Sequence, residues 1–242
     1  MCYNVVFLEK RAQEYQERYK AVLPDTFKMD NDVELPFYYH VSGFVHPILP
    51  IVKHDGIFPY QWGLIPPWCK DIAQAKDMAK LTLNAVGETV FEKPSFRNAI
   101  KQQRCLLGIE GFFESRDMNK QKYPYVVKSK VDEIFSLGCI YEEWTDRETR
   151  EVYKTFSIVT TPANPLMEKI HNLKKRMPLI IPRELEGEWI KPELTKEQIK
   201  DLIKPYDENK MEAYTVGKMV NNAKNYRNVP EALERVEYPE LN

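Results

Sequence analysis

The sequence has no run of 18 apolar residues in its 242, which removes a membrane-spanning helix from consideration. Its start, Met-Cys-Tyr-Asn-Val, soon turns charged at Glu9, Lys10 and Arg11. It therefore lacks the basic opening and apolar centre of a secretion signal, and a cytoplasmic protein is expected. Cysteine is scarce: Cys2, Cys69, Cys105 and Cys139 are widely spaced and form no Cys-x-x-Cys pair. That argues against a structural zinc site or a disulfide framework, and neither a metal nor a cofactor is expected. There is no excess of either charge. At a net −1 the molecule has no cationic field that announces nucleic-acid binding, although a local basic groove stays open. No repeat, low-complexity tract or linker divides the chain.

What is present is an ordinary globular composition, 43% hydrophobic and 29% charged, cut into short segments by proline and glycine. Tyr3–Leu8 reads as a buried strand and Arg11–Val22 as a helix with Tyr15, Tyr19 and Val22 on one face. Short strands follow at Gly43–Val45, Ile48–Lys53 and Tyr60–Ile65, the last stopped by Pro66-Pro67. Helices are expected over Asp71–Lys80 and from Ser95 to Gln103. From Arg104 strands dominate: Cys105–Ile109, Phe112–Glu114, Tyr123–Lys128, Ile134–Tyr141 and Thr155–Thr161, with Asp146–Arg150 a hairpin tip. Asn164–His171 is a short helix, Met177–Ile181 a strand, Glu184–Ile190 and Lys196–Ile203 helices, and Met211–Val216 a last strand. Residues 221–242 are polar and read as a poorly packed tail. Short strands joined by short turns favour one α+β domain, residues 1–220, on a curved, largely antiparallel sheet flanked by short helices.

Cys105 and Cys139 sit in apolar strands as small core residues; Cys69, after Trp68, is open. Cys2 differs for a chemical reason. Removal of Met1 gives an α-amine and a thiol on adjacent carbons. The α-amine titrates near pH 8, so a fair fraction is neutral and nucleophilic at pH 7, unlike lysine near 10.4. Such an amine condenses with an aldehyde to a Schiff base, and the thiol closes on the imine carbon to a thiazolidine.

Other segments give Cys2 its company. Asn84-Ala85 with Glu88-Thr89 surrounds a glycine turn, and Gly111-Phe112-Phe113-Glu114 places a carboxylate at the end of an apolar strand. His171 precedes the basic Lys174-Lys175-Arg176 and then Met177-Pro178. Taken singly, each has a plain structural explanation. With Met1-Cys2, Trp62-Gly63-Leu64-Ile65-Pro66 and Arg104-Cys105-Leu106 in the same order, the chain resembles the SRAP domain (SOS response-associated peptidase), also called the abasic-site processing protein family. The likeness runs over effectively the whole chain, to about residue 220.

The resemblance implies a monomer that binds single-stranded DNA, or single/double-strand junctions, at an abasic site and crosslinks to it as a thiazolidine through Cys2, shielding the lesion in the DNA damage (SOS) response. It implies Cys2 as nucleophile, Asn84 as an amide holding the Cys2 backbone or the sugar, Glu114 as general acid/base, and His171 as a contact to phosphate or sugar that assists proton transfer. Thr160 and Arg176 match positions on the DNA side of that pocket, and Trp68 and Arg97 are further DNA-contact candidates. Trp62, in an apolar strand, is assigned to the core. Desolvation beside Phe112 and Phe113 is expected to raise the Glu114 pKa. Two other readings stand beside this one: a cysteine-type peptidase that removes Met1, with His171 or Glu114 as base, and a non-catalytic single-strand binder. The chain also departs from the family pattern. Tyr3-Asn4 replaces the usual Gly-Arg, Val86 stands where an arginine follows Asn-Ala, Ser115 replaces a common tryptophan, and the segment from His171 to Arg176 is longer than usual. Arg97, Lys101, Arg104, Lys174 and Lys175 are candidate replacements for the missing phosphate-binding charge.

Overall fold

A computed structural model describes residues 2–8, 12–21, 28–29, 32–33 and 37–241. The chain runs β1 (Asn4–Phe7), α1 (Ala12–Tyr19), β2 (Lys28–Met29), β3 (Asp32–Val33), β4 (Tyr38–Ser42), β5 (Ile48–Lys53), β6 (Gly56–Trp62), α2 (Ile72–Leu81) and β7 (Asn84–Val86). It continues with α3 (Ala99–Gln102), β8 (Arg104–Ile109), β9 (Gly111–Met118), β10 (Gln121–Ser129), β11 (Phe135–Thr145), β12 (Val152–Pro162) and α4 (Pro165–Ile170). Last come β13 (Arg176–Pro178), β14 (Ile180–Ile181), α5 (Glu186–Trp189), α6 (Lys196–Leu202) and β15 (Met211–Thr215).

Five of these strands close on themselves. β12 pairs with β6, β6 with β5, β5 with β8, β8 with β11, and β11 returns to β12; only the β12–β6 pairing is parallel. Closure leaves this sheet without exposed edges and gives it an interior that side chains fill. Alternation along the strands puts Leu49, Ile51, Cys105, Leu107, Ile109, Leu137, Cys139, Phe156 and Ile158 in one buried cluster. The opposite faces of the same strands, with Val52, Leu106, Ile140 and Val159, pack under Trp189, Ile199 and Leu179. Trp62 is fully buried, stacks on Phe156 and donates its indole N–H to the Leu83 carbonyl at 2.8 Å, as a core residue should. Cys69 is buried too, its carbonyl accepting from the Trp144 indole at 3.0 Å.

A second sheet, ordered β15-β10-β9-β1-β4, is antiparallel throughout and lies across one part of the barrel. Its Val5, Val41, Phe112, Val127 and Met211 join the barrel's interior cluster together with Cys2. Its other face, Val6, Phe113 and Val126, is covered by Val216, Val220 and Ala232. This mixed α+β architecture, a barrel with an extra antiparallel sheet and few short helices, is the expected class.

Several local expectations are corrected. Gly43–Val45 is a 3-10 turn rather than a strand, because the Ser42 hydroxyl accepts the Phe44 N–H and ends the extended run. The strand expected over Tyr60–Ile65 begins at Gly56 and stops at Trp62, where Gly63 takes φ +120°. A side chain there would also meet the Ala79 carbonyl at 2.7 Å. The helix predicted from Ser95 starts only at Ala99, and Met177–Ile181 is split into β13 and β14. Arg11 and Val22 lie outside the described residues. The tail is not loose: Val216 bridges Arg235, the Val236 N–H reaches the Thr215 carbonyl at 2.9 Å, and the Tyr238 hydroxyl donates to Val216 at 2.8 Å. Its few apolar residues suffice because one sheet face needs covering. Ala232→Glu, which puts a carboxylate into that covered face, should lower stability by about 2–4 kcal/mol in denaturant titration.

Candidate active site

Glu114 is carried to its position by strand period. Gly111 to Phe113 alternate between the two faces of β9, so Glu114 shares the inward face with Phe112. Asn4 pairs with Phe113 across β1–β9, and the Tyr3 carbonyl receives the Gly43 N–H at 2.8 Å, which ties the start of β1 down from the other side. Cys2 is thereby drawn to complete burial in the interior cluster. Its thiol pKa is pushed up, first by burial and then by the Glu114 charge, so the sulfur is a neutral thiol held close to that carboxyl.

His171 arrives from a different element. Asn164 caps α4 by accepting the Met167 N–H at 2.9 Å, Pro165 fits the first helical turn, and His171 ends the helix. Its Nδ1 lies 2.8 Å from the Arg176 carbonyl and 3.2 Å from the Arg176 N–H, which pins the ring to the backbone at the start of β13. Nε2 then faces Glu114 Oε2 at 3.9 Å, too far for a direct hydrogen bond. Both side chains are about nine-tenths buried. Burial raises the Glu114 pKa to about 7, against the pull of Lys122 and Lys174. Burial, with Lys174 and Arg176 acting the same way, lowers His171 to about 4. The pair is therefore no ion pair near neutrality: the imidazole is neutral and the carboxyl is close to half protonated. The acid and base roles are inverted relative to free side chains.

Glu114 and His171 line a cavity of about 290 Å³ with Tyr3, Asn4, Phe113, Ser115, Asp117, Lys122, Leu173, Lys174 and Asn221. Asn84 starts β7, which runs parallel to β12 with Asn84 opposite Ile158. Neighbouring Leu83 packs in the cluster that holds Cys2 and is fixed by bonds from Trp62 and Ile158. Both polar atoms of the Asn84 amide are buried, and neither has a hydrogen-bond partner among the described residues. An unmet buried amide costs about 1–3 kcal/mol per group, so this side chain is placed to meet a partner that the described residues do not supply.

Thr160 and Arg176 are brought together. One Arg176 terminal nitrogen donates to the Thr160 carbonyl at 2.8 Å and hydroxyl at 3.0 Å, and Glu88 takes the guanidinium through both carboxylate oxygens. Arg176 is thus largely neutralised by Glu88, with its buried Nε left without a hydrogen-bond partner among the described residues. Trp68 is 41% exposed and Arg97 is exposed; neither makes a side-chain hydrogen bond or ion pair to this group among the described residues. Arg104 does not serve the groove at all. It is buried, and its guanidinium is consumed by the carbonyls of Ile100, Lys101, Trp189 and Lys191. Lys122, Asp117, Asn172 and Asn221 were not legible as site residues, because only the pairing of β9 with β10 and the docking of the His171–Arg176 loop bring them to the cavity. Among the described residues no cluster of His, Cys, Asp and Glu is placed to hold a metal ion, and no helix is long and apolar enough to cross a membrane.

The sign of the pH effect follows from the raised Glu114 pKa. The unfolded carboxyl ionises near its ordinary 4.5 while the folded one keeps its proton to about 7. Stability is therefore lost as pH rises through that window and stays lost above it. Glu114→Gln removes this penalty. Its stability relative to the parent should rise by on the order of 2–3 kcal/mol between pH 4.5 and 8 in urea titrations, whereas a constant difference would contradict the buried-carboxyl assignment.

Comparison with known proteins places this geometry. The chain is 40% identical over 204 residues to the abasic site processing protein YoqW of Bacillus subtilis, covering 81% of this chain and 87% of that protein. It is 28% identical over 209 residues to the abasic site processing protein HMCES of Rattus norvegicus, covering 73% of this chain and 56% of that one. A crystal structure of a Bacteroides thetaiotaomicron protein superposes with a TM-score of 0.89 at 36% identity, covering 98% of this chain and all of that one. The family model described as SOS response associated peptidase (SRAP) matches residues 1–223. Near-complete coverage by one family model, together with a 40% identical relative matched over most of both chains, means that this chain belongs to the SRAP family.

Proposed function

We propose that this protein senses abasic sites in single-stranded DNA, or at single/double-strand junctions, and crosslinks to them through the N-terminal aminothiol of Cys2 once Met1 is gone. The observation that supports this most is a buried cysteine beside a carboxyl whose pKa is near 7, in a chain whose relatives are named abasic site processing proteins. The ring-opened sugar supplies an aldehyde. The Cys2 amine adds to its carbon, the resulting carbinolamine loses water, and an imine forms. The thiol then adds across the C=N bond: sulfur bonds to carbon, and the thiol proton is delivered to nitrogen. One water is released overall and nothing is oxidised or reduced. With Met1 in place the nitrogen is a peptide amide and the first step fails.

Glu114 suits both halves of that sequence. In its protonated form it donates to the departing hydroxyl, and as a carboxylate it accepts the thiol proton; at pKa about 7 both forms are present near neutrality. Neutral His171 offers Nε2 to the sugar hydroxyl. Asn84 offers an amide donor and acceptor to the sugar or the Cys2 backbone. Thr160 and Arg176 shape the DNA side through Arg176 Nε, and Trp68 and Arg97 extend the contact to flanking nucleotides by stacking and charge. A monomer in the cytoplasm completes the reading.

Removal of Met1 by the protein itself is a second activity that the coupling of the Cys2 thiol to Glu114 favours. In cells lacking methionine aminopeptidase, intact mass should show Met1 lost from the parent and retained in Glu114→Ala. Retention in both would set self-cleavage aside.

Processed protein mixed with abasic single-stranded DNA should give an adduct that survives denaturing electrophoresis. Cys2→Ala should abolish it, and an equally stable adduct in that variant contradicts the assignment. Glu114→Gln should slow adduct formation by about 10²-fold or more.

A further inference from the structure

The cavity beside Glu114 has two cations that the catalytic scheme leaves unused. Lys122 lies near the start of β10, in register with Asp117 of β9. Lys174 sits on the loop that joins His171 to Arg176, and that loop is not free to swing. The Asn172 side chain accepts the Asp117 N–H at 3.0 Å and donates to the Asp117 carbonyl at 2.7 Å, a two-point dock on β9 beyond the reach of β1. The loop closes through Lys175 in the left-handed region, φ 50°, with its N–H on the His171 carbonyl at 2.8 Å. Two walls of one cavity therefore each present an ammonium.

Neither lysine has an ion-pair or hydrogen-bond partner among the described residues, whereas three of the arginines do. Arg176 is held by Glu88, Arg104 by four carbonyls and Arg18 by Glu186. Asp117 and Glu114 are the acidic groups on the same cavity, and Glu114 is close to half neutral at pH 7. Asn4 lines this cavity, and its side-chain oxygen is buried with no hydrogen-bond partner among the described residues, as an acceptor for a hydroxyl would be.

Resting on the abasic-DNA reading, we infer that Lys122 and Lys174 grip a backbone phosphodiester of the bound strand at the mouth of this cavity, one from each side. In this arrangement the long His171–Arg176 segment is a binding element docked onto β9, and it supplies charge that Arg176, tied to Glu88, does not. Leu173, 71% exposed at the loop tip, lines the same cavity.

The test is reversible binding to an abasic-free single strand, measured by anisotropy across a salt series, for the parent, Lys122→Gln, Lys174→Gln and the double variant. Each single change should lower the slope of log affinity against log salt by about 0.7, the increment for one single-strand phosphate, and the double by about twice that. Affinity at low salt should fall several-fold in each. Lys200→Gln, on exposed α6, should keep the parental slope. Parental slopes in both lysine variants, with a parent that binds and forms adduct, overturn this inference and leave the abasic-site reading standing. A parent that binds no single-stranded DNA overturns both. An equal loss in Lys200→Gln overturns the specific grip in favour of diffuse charge.

Discussion

The Glu114 carboxyl is taken out of water by the same strands that bury Cys2, and this shared desolvation is what the site depends on. β1 sits between β4 and β9, so it brings Cys2 onto the barrel interior and puts Tyr3 and Asn4 beside β9. The desolvation cost appears as the upward shift of both groups. A carboxyl left in water would be fully ionised at neutral pH and poor at giving up a proton. Burial moves it to where it gives and takes with equal ease.

The barrel and the second sheet divide the work. The closed barrel fixes β12 and, through it, the parallel strand β7 that begins at Asn84 and the strand β13 that begins at Arg176. The open sheet brings Glu114, Asn4 and Lys122. His171 connects the two, because it ends α4 just after β12 and hydrogen bonds to Arg176 on β13. The candidate site thus draws on two sheets, and residues 216–241 cover the outer face of the second one.

The sequence made much of this legible, for identifiable reasons. Ile48–Lys53 and Cys105–Ile109 stand where alternation and apolar content place them, and Asn164-Pro165 announces its helix by capping chemistry. Cys2, Asn84, Glu114 and His171 were readable as a set of ordered motifs, though no spacing along the chain could give the 3.9 Å approach of His171 to Glu114. What stayed hidden depends on long-range pairing. The fate of Arg104 requires α5 to pack on β8, and the covered tail requires a sheet face that exists only after folding. Lys122 is one lysine among many until β10 pairs with β9.

The central claim is that the reacting unit is the free aminothiol of Cys2, with sulfur and nitrogen both committed to the sugar carbon. Proteolytic digestion of the DNA adduct followed by tandem mass spectrometry tests it directly. The account predicts a modified peptide that begins at Cys2, lacks Met1 and carries the sugar remnant on both the α-nitrogen and the sulfur. A remnant on Lys122 or Lys174, or on a peptide that still begins with Met1, would contradict it.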